Sequence, residues 1–280
     1  IIADNSEKLK KLQGSKYTQS STGLIFRDIK KKLLNGEKVL FSGCPCQVAG
    51  FKAYLGKNYD NLVTVDLICH GVPSNAVFKD YISSLEKRKK ISVRNFSFRD
   101  KSIGWGKNGS AISENGKKYK LFETSESYFY YFAKSLIMRK NCYSCKYACG
   151  NRTGDITIGD FWGIEKEHPE ILGKNGINES KGVSVIIANT QKGIDIVEEN
   201  KKLFQIYESS FEKASRGNQQ LKRPSKYNPK REEILQLYAE SGWEAVEARF
   251  NKNIGMKKYT GYIKSLIPNG VKRQLKKILK

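Results

Sequence analysis

The sequence predicts a mixed α/β (α+β) fold, with a central mixed sheet, flanking helices and a helical C-terminal region. Three observations lead there. Short apolar runs near 38–42 and 61–69 alternate with amphipathic helical stretches, the pattern of strands and helices stacked in layers. Asn115-Gly116 lies between two alternating runs and marks an antiparallel hairpin. Beyond about residue 205 the chain becomes polar and helical, which divides it into expected domains of 1–204 and 205–280.

The elements follow in order. "TGLIFRDIKKKLLNGE" puts Leu24, Ile25, Ile29 and Leu33 on one helical face and stops at Gly36. Val39, Leu40 and Phe41 make a strand that Ser42-Gly43 ends, and Val48, Phe51 and Leu55 then recur at helical spacing. "NLVTVDLIC" is a second buried strand, and Ser74 caps the helix that follows it. "ISVRNFSFRD" alternates, and "GSAISENGKKYKLF" is the hairpin. A helix is expected over 125–138, strands in "GDITIGDFWG" and "KGVSVIIANTQKG", a helix after the latter, and an amphipathic helix in "EEILQLYAESGWEAVEARF".

The 280 residues are enough to bury a sizeable core. An apolar share of 39% and a mean hydropathy of -0.57 fit a globular protein. No run approaches the ~20 apolar residues needed to cross a bilayer, and no secretory signal pattern is present; the expected location is cytoplasmic. The chain opens at Ile1 without a methionine, so a fragment or a processed form is expected, with an upstream segment absent. Net charge is +23, from 40 lysines and 11 arginines. Arginine forks are scarce, which disfavours nucleic acid as a partner. Residues 252–280 hold nine basic residues and no acidic one. There Val271, Leu275, Ile278 and Leu279 share one helical face, as in a basic amphipathic helix. Two readings stand for it: a terminal helix packed on its own domain, and peripheral contact of 271–280 with the inner face of a membrane.

Six cysteines fall into three groups: Cys44 with Cys46, Cys69 alone, and Cys142, Cys145 and Cys149. Thiols grouped in this way in a chain without a secretory signal point to a metal or to redox chemistry. Cys44-Pro45-Cys46 lies on a strand-to-helix turn and Cys69 ends the next strand, the edge where open α/β sheets gather ligands. The C-x2-C of Cys142 and Cys145 suits both zinc and iron–sulfur centres. Cys44-x-Cys46 is short for a zinc knuckle, and Cys69 stands beside His70 without a second thiol. Ligands drawn from separate turns fit a [4Fe-4S] centre better than zinc. Spacing alone leaves iron–sulfur, zinc, and packing or reactive thiols all open.

The strings "LQGSKYTQS", "VLFSGCPCQVAGF", "DLICHGVPS", "CYSCKYAC" and "GDITIGDFWGI" occur in this order within residues 10–190. Together they resemble the coenzyme F-420 hydrogenase/dehydrogenase beta-subunit family, and more narrowly its bacterial branch encoded beside polysaccharide-biosynthesis genes. The resemblance implies a flavin and iron–sulfur domain over 1–204, followed by the basic helical region. It also implies a [4Fe-4S] cluster held by Cys46, Cys69, Cys142 and Cys145, with Cys44 and Cys149 as accessory thiols, either of which is an alternative ligand. For FAD it directs attention to the turn Gly14-Ser15-Lys16, suited to a pyrophosphate, and to the close backbone at Gly43 and Pro45. Trp105 and Trp162 are candidates for stacking, and Asp155 and Asp160 for fixing a loop or binding a flavin hydroxyl. His70 is the candidate catalytic residue, for a proton step or for tuning the cluster.

The function implied is an oxidoreductase module relaying electrons from ferredoxin, or a ferredoxin-like domain, through the cluster to a flavin. Its substrate would be an unknown small molecule or a glycan of cell-surface polysaccharide biosynthesis. The competing reading is a zinc-stabilised, non-enzymatic protein whose basic surface meets nucleic acid or an acidic partner.

Overall fold

The computed structural model describes residues 1–173 and 176–267; the amphipathic stretch 271–280 lies outside the described residues. The first elements are α1 (Ser6–Leu12), α2 (Ile25–Leu34), β1 (Val39–Gly43), α3 (Pro45–Leu55), β2 (Leu62–Leu67) and α4 (Asn75–Lys89). There follow β3 (Val93–Ser97), β4 (Gly109–Ser113), β5 (Lys118–Leu121), α5 (Ser127–Ala133) and β6 (Ile156–Asp160). The described residues continue with α6 (Ile164–Glu167), β7 (Ser184–Ala188), α7 (Gln191–Asn200), α8 (Phe211–Gly217), α9 (Lys230–Ile254) and α10 (Thr260–Leu266).

Two compact units share the chain. The first holds 1–13, 20–71 and 140–226, and the second 14–19, 72–139 and 227–280. The sequence reading places one boundary at 204/205, whereas these units interleave. The segment after 205 is tied into the first unit: Asn218 Nδ2 donates to the Asp160 carbonyl at 3.0 Å, and Ser225 Oγ to the His70 carbonyl at 2.6 Å. From α9 onward the chain belongs to the second unit, where α9 packs on α4 and α5.

In the first unit the sheet order is β1-β2-β6-β7. The first three strands are parallel and β7 runs antiparallel to β6, giving the expected mixed sheet. One face of α2 (Ile29, Leu33) and one of α3 (Phe51, Leu55) close over Leu62, Val39 and Phe41. The Phe51 ring lies 4.5 Å from that of Phe41 and 5.1 Å from that of Phe26, centroid to centroid. This packing holds α3 on the sheet and so places the turn at its start.

In the second unit β3, β4 and β5 form an antiparallel sheet. The hairpin turns where Asn115-Gly116 predicts, with Gly116 at φ +79° and the Asn115 side-chain oxygen accepting from Ser113 Oγ at 2.6 Å. Tyr17 stacks on Phe132 at 4.6 Å, and its carbonyl accepts the Tyr128 hydroxyl at 2.5 Å, so residues 14–19 join this unit.

Two helices differ from their sequence reading. The helix expected over 125–138 ends at Ala133: Ser135 takes φ +56°, and Leu136 N donates to Tyr131 O at 2.8 Å. That is a Schellman ending, usually built on glycine and here on serine, so nothing in the string advertised it. The run 232–250 is broken at Gly242, with φ +71° and ψ -178°.

Candidate functional site

All six cysteines lie in the first unit. Because β1 and β2 are parallel, Cys44, just past β1, and Cys69, just past β2, leave the sheet at one edge. Cys44 is the N-cap of α3. The Gln47 N–H donates to its carbonyl at 2.8 Å, and its own N–H donates to Gln47 Oε1 at 3.0 Å, so Gln47 closes the start of the helix from both sides. Pro45, buried at the first helical position, needs no N–H partner there. A thiol–thiol hydrogen bond joins Cys44 to Cys69, Sγ to Sγ 3.8 Å.

Cys142 lies in a 3-10 turn over Lys140–Ser144, and Ala148 N donates to the Cys145 carbonyl at 3.2 Å to close the next turn. Cys46 and Cys44 each lie within electrostatic reach of three other thiols. Cys46 is opposed by the charges of Cys69, Cys145 and Cys142, and Cys44 by those of Cys69, Cys46 and Cys142. Cys149 stands differently: its Sγ donates to the carbonyls of Asn151 at 3.3 Å and Lys146 at 3.5 Å. The Cys149 thiol is thus turned to its own loop's backbone.

One buried ion pair ties the three cysteine turns together. Arg152 Nη2 donates to Asp66 Oδ1 at 2.8 Å, with the two side chains 1% and 0% exposed. The same guanidinium reaches the carbonyls of Leu67 (2.9 Å), Tyr147 (3.1 Å) and Cys149 (3.4 Å). It thus joins the end of β2, two residues before Cys69, to the loop of the third group. Asp66 Oδ2 accepts from the N–H groups of Thr153 and Gly154 and from Thr153 Oγ1, which also contacts the Pro45 carbonyl at 3.1 Å. That last bond brings in the first turn. Gly154 is required here, since a Cβ would sit 2.7 Å from Asp66 N and 2.9 Å from the Ile156 carbonyl. Sequence reasoning missed Asp66, Arg152 and Thr153. The signal was present: a carboxylate inside the apolar run "LVTVDLIC" demands a buried partner.

The thiols do not titrate alike. The bond to Cys44, the Gly71 N–H and the Arg152 charge together outweigh burial and bring Cys69 down to about 7. The same bond, with burial and the neighbouring cysteines, pushes Cys44 up. Burial, then the charges of Cys69, Cys145 and Cys142, pushes Cys46 up. Each thiolate therefore opposes formation of the next, and a cationic centre that takes several of them relieves the opposition. The donor set fits an iron–sulfur cluster in this respect. Among the described residues no three His, Cys, Asp or Glu side chains close on a single metal ion. A cluster, with one ligand for each of four irons, takes donors more widely spaced than one ion does.

The other candidates from the sequence are placed as follows. His70 belongs to the same unit: Ser225 Oγ lies 3.2 Å and Gln220 Nε2 3.4 Å from its Nδ1. Gly14, Ser15 and Lys16 belong to the second unit, where Gly14 takes φ +86° and Lys16 Nζ donates to the Gly14 carbonyl at 3.1 Å. Gly43 belongs to the first unit, and a Cβ there would meet Gln47 Cβ at 3.2 Å. Trp105 and Trp162 are half-buried. The Asp160 carbonyl accepts from Asn218.

Asp155 ties strands together, accepting from Thr64 N (2.7 Å), Thr64 Oγ1 (2.6 Å) and Thr190 Oγ1 (3.0 Å). Burial raises its carboxyl, but the Thr64 hydroxyl and N–H, the Lys52 charge and Thr190 outweigh it and hold it below the usual range. A carboxylate lowered on folding stabilises above its unfolded value and loses that contribution as pH falls through the folded one. Asp155→Asn is therefore expected to unfold at lower denaturant than wild type at pH 7, with the gap narrowing below about pH 4. Urea titrations at the two pH values read this directly, and an equal gap at both would contradict it.

The cysteine turns and the strands that carry them lie within residues 36–213, which match the sequence model for the coenzyme F420 hydrogenase/dehydrogenase beta subunit, C terminus. The chain belongs to that family. Membership makes it a subunit of the hydrogenase/dehydrogenase class of oxidoreductases. A chain of the F420-reducing [NiFe] hydrogenase complex from Methanosarcina barkeri, solved after xenon derivatization, is similar with TM-score 0.44 and 16% identity. That likeness covers 92% of this chain and 76% of the other. No curated protein matches. Among the described residues no helix is long and apolar enough to cross a membrane.

Proposed function

We propose that this chain is an iron–sulfur electron-transfer subunit whose [4Fe-4S] cluster would be held by Cys46, Cys69, Cys142 and Cys145. The observation that carries the reading is the convergence of these thiols from three turns, with Cys46 within electrostatic reach of the other three. When bound, such a cluster supplies one-electron transfer, and a flavin beside it would couple single electrons to a two-electron step. The chain's own contribution is placement. Asp66, Arg152 and Thr153 hold the three turns in fixed relation, and Ser225 holds both the ring and the carbonyl of His70 next to Cys69. His70 is thus read as a positioning residue for Cys69.

A flavin, a ferredoxin-type donor and a glycan or other small-molecule substrate are proposed on the resemblance alone. Lys16 closes on its own turn and Gly43 is filled by Gln47, so these residues add no support of their own for a flavin.

The test is iron and sulfide content after anaerobic reconstitution of single alanine variants. Alanine at Cys46, Cys69, Cys142 or Cys145 is expected to remove most of the bound iron, whereas Cys149→Ala retains it. Full iron content in any of the first four would overturn the assignment.

A further inference from the structure

Where the chain leaves α9 it turns four large apolar side chains outward. Met256, Tyr259, Ile263 and Leu266 are all exposed, Met256 to 80% and Leu266 to 82%. They recur three, four and three residues apart. A 3-10 turn over Gly255–Tyr259 runs into α10, with Tyr259 and Thr260 both in right-handed helical conformation. At that spacing the four share one stripe of the helical run. We infer that this stripe is a docking surface for an anionic lipid bilayer, with residues 256–266 lying in the plane of the interface. The stripe belongs to the second unit, which holds none of the cysteines.

The run is anchored on another side. The Tyr262 ring lies 4.7 Å from that of Phe122, centroid to centroid, and its hydroxyl donates to the Lys120 carbonyl at 3.2 Å. Gly261 is pressed so close that a Cβ there would meet Phe122 Cβ at 2.6 Å. Rolling the apolar stripe inward would break these contacts, so its exposure is built into the way α10 is seated.

Charge selects the occupant. Residues 252–280 hold nine basic residues and no acidic one. Lys252 and Lys257 are exposed beside the stripe, and the Lys258 ammonium stands 5.2 Å from the centroid of the Tyr259 ring. Tyrosine and lysine flanking an apolar stripe are the residues found at headgroup level, where the ring is half immersed and the ammonium meets phosphate. Like charge disfavours two other occupants. A second copy would bring its own net charge of +23 to the same face. The segment 271–280 sets its apolar residues among Lys272, Arg273, Lys276 and Lys277, so it suits the same anionic surface better than it suits this stripe. An acidic protein would answer the charge. Side chains as exposed as Met256 and Leu266 project from the surface, however, and a fluid bilayer takes such projections without a shaped pocket. Among the described residues no helix can cross a membrane, so the contact is one of lying on the bilayer.

The test is co-sedimentation of the full chain with vesicles at an ionic strength of about 0.15 M, where weak surface attraction is already screened. Vesicles of phosphatidylcholine mixed with phosphatidylglycerol are compared with phosphatidylcholine alone. Wild type is expected to sediment with the first and to stay in solution with the second. Met256→Ser, Ile263→Ser and Leu266→Ser, combined in one chain, keep every charge and are expected to weaken binding by about tenfold or more. Lys252→Glu with Lys257→Glu keeps the apolar stripe and is expected to weaken it as well. All six positions changed or compared are exposed or flank exposed residues, and an unchanged urea midpoint in each variant confirms that the fold is kept. Undiminished binding of the triple serine variant would show adsorption by charge alone and overturn the inference. A wild-type chain that binds neither vesicle would overturn it too, and would leave an acidic protein as the occupant of the stripe.

Discussion

Arg152→Met is expected to destabilise the first unit by about 3–5 kcal/mol, the cost of leaving a buried charge without its partner. Asp66 is wholly enclosed, and its carboxylate would keep only the Thr153, Gly154 and Thr157 donors. The carbonyls of Leu67, Tyr147 and Cys149 would lose a common donor at the same time. The effect should be seen as a lowered denaturant midpoint with an unchanged slope. Removing the carboxylate as well, in Asp66→Leu with Arg152→Met, is expected to recover only part of the loss, because Thr153 and Gly154 then lack their acceptor. A single-variant loss below about 1 kcal/mol, the size of an exposed pair, would show that the pair does not organise the site.

Phe51→Ala is expected to cost about 3–5 kcal/mol, as for other fully enclosed phenylalanines. Its ring is 0% exposed and fills the space between α2, α3 and β1. The consequence for the site is indirect. α3 begins at Pro45, so an α3 that packs loosely on β1 also loosens the turn carrying Cys44 and Cys46. Urea unfolding measures the first effect. The second should be seen as faster alkylation of Cys46, the most exposed thiol, in Phe51→Ala than in wild type under native conditions. Wild-type stability in this variant would contradict the packing argument.

Much of the first unit was legible because its local signals agree. Apolar runs of strand length alternate there with 3.6-residue periodicity and Gly36 stops α2, and the same pattern carries on to Ser74, the cap of α4 in the second unit. The hairpin was legible from two residues, since Asn115-Gly116 supports the required backbone almost alone. The cysteine groups were legible as groups, and the turns of Cys44-Cys46 and Cys69 as neighbours at one sheet edge.

What escaped the sequence is long-range. Asp66 and Arg152 are 86 residues apart, and nothing local pairs them. The two units interleave because residues 14–19 and 227 onward return to the second one, a matter of tertiary contacts that no composition shift records. The ends of α5 and the break in α9 depend on single residues with positive φ, Ser135 and Gly242, and only the glycine carries any warning in its identity. Cys44 and Cys149 could not be told apart by spacing. Their surroundings differ: Cys44 faces Cys69, whereas Cys149 faces two carbonyls.

The most direct test is an anaerobic absorption spectrum of the purified chain, with iron, sulfide and zinc assayed on the same sample. The account predicts a broad visible absorption that bleaches with dithionite, and about four irons with as many sulfides per chain. A colourless chain with about one zinc per molecule, and no cluster after anaerobic reconstitution, would contradict it and leave a zinc-stabilised binding protein in its place.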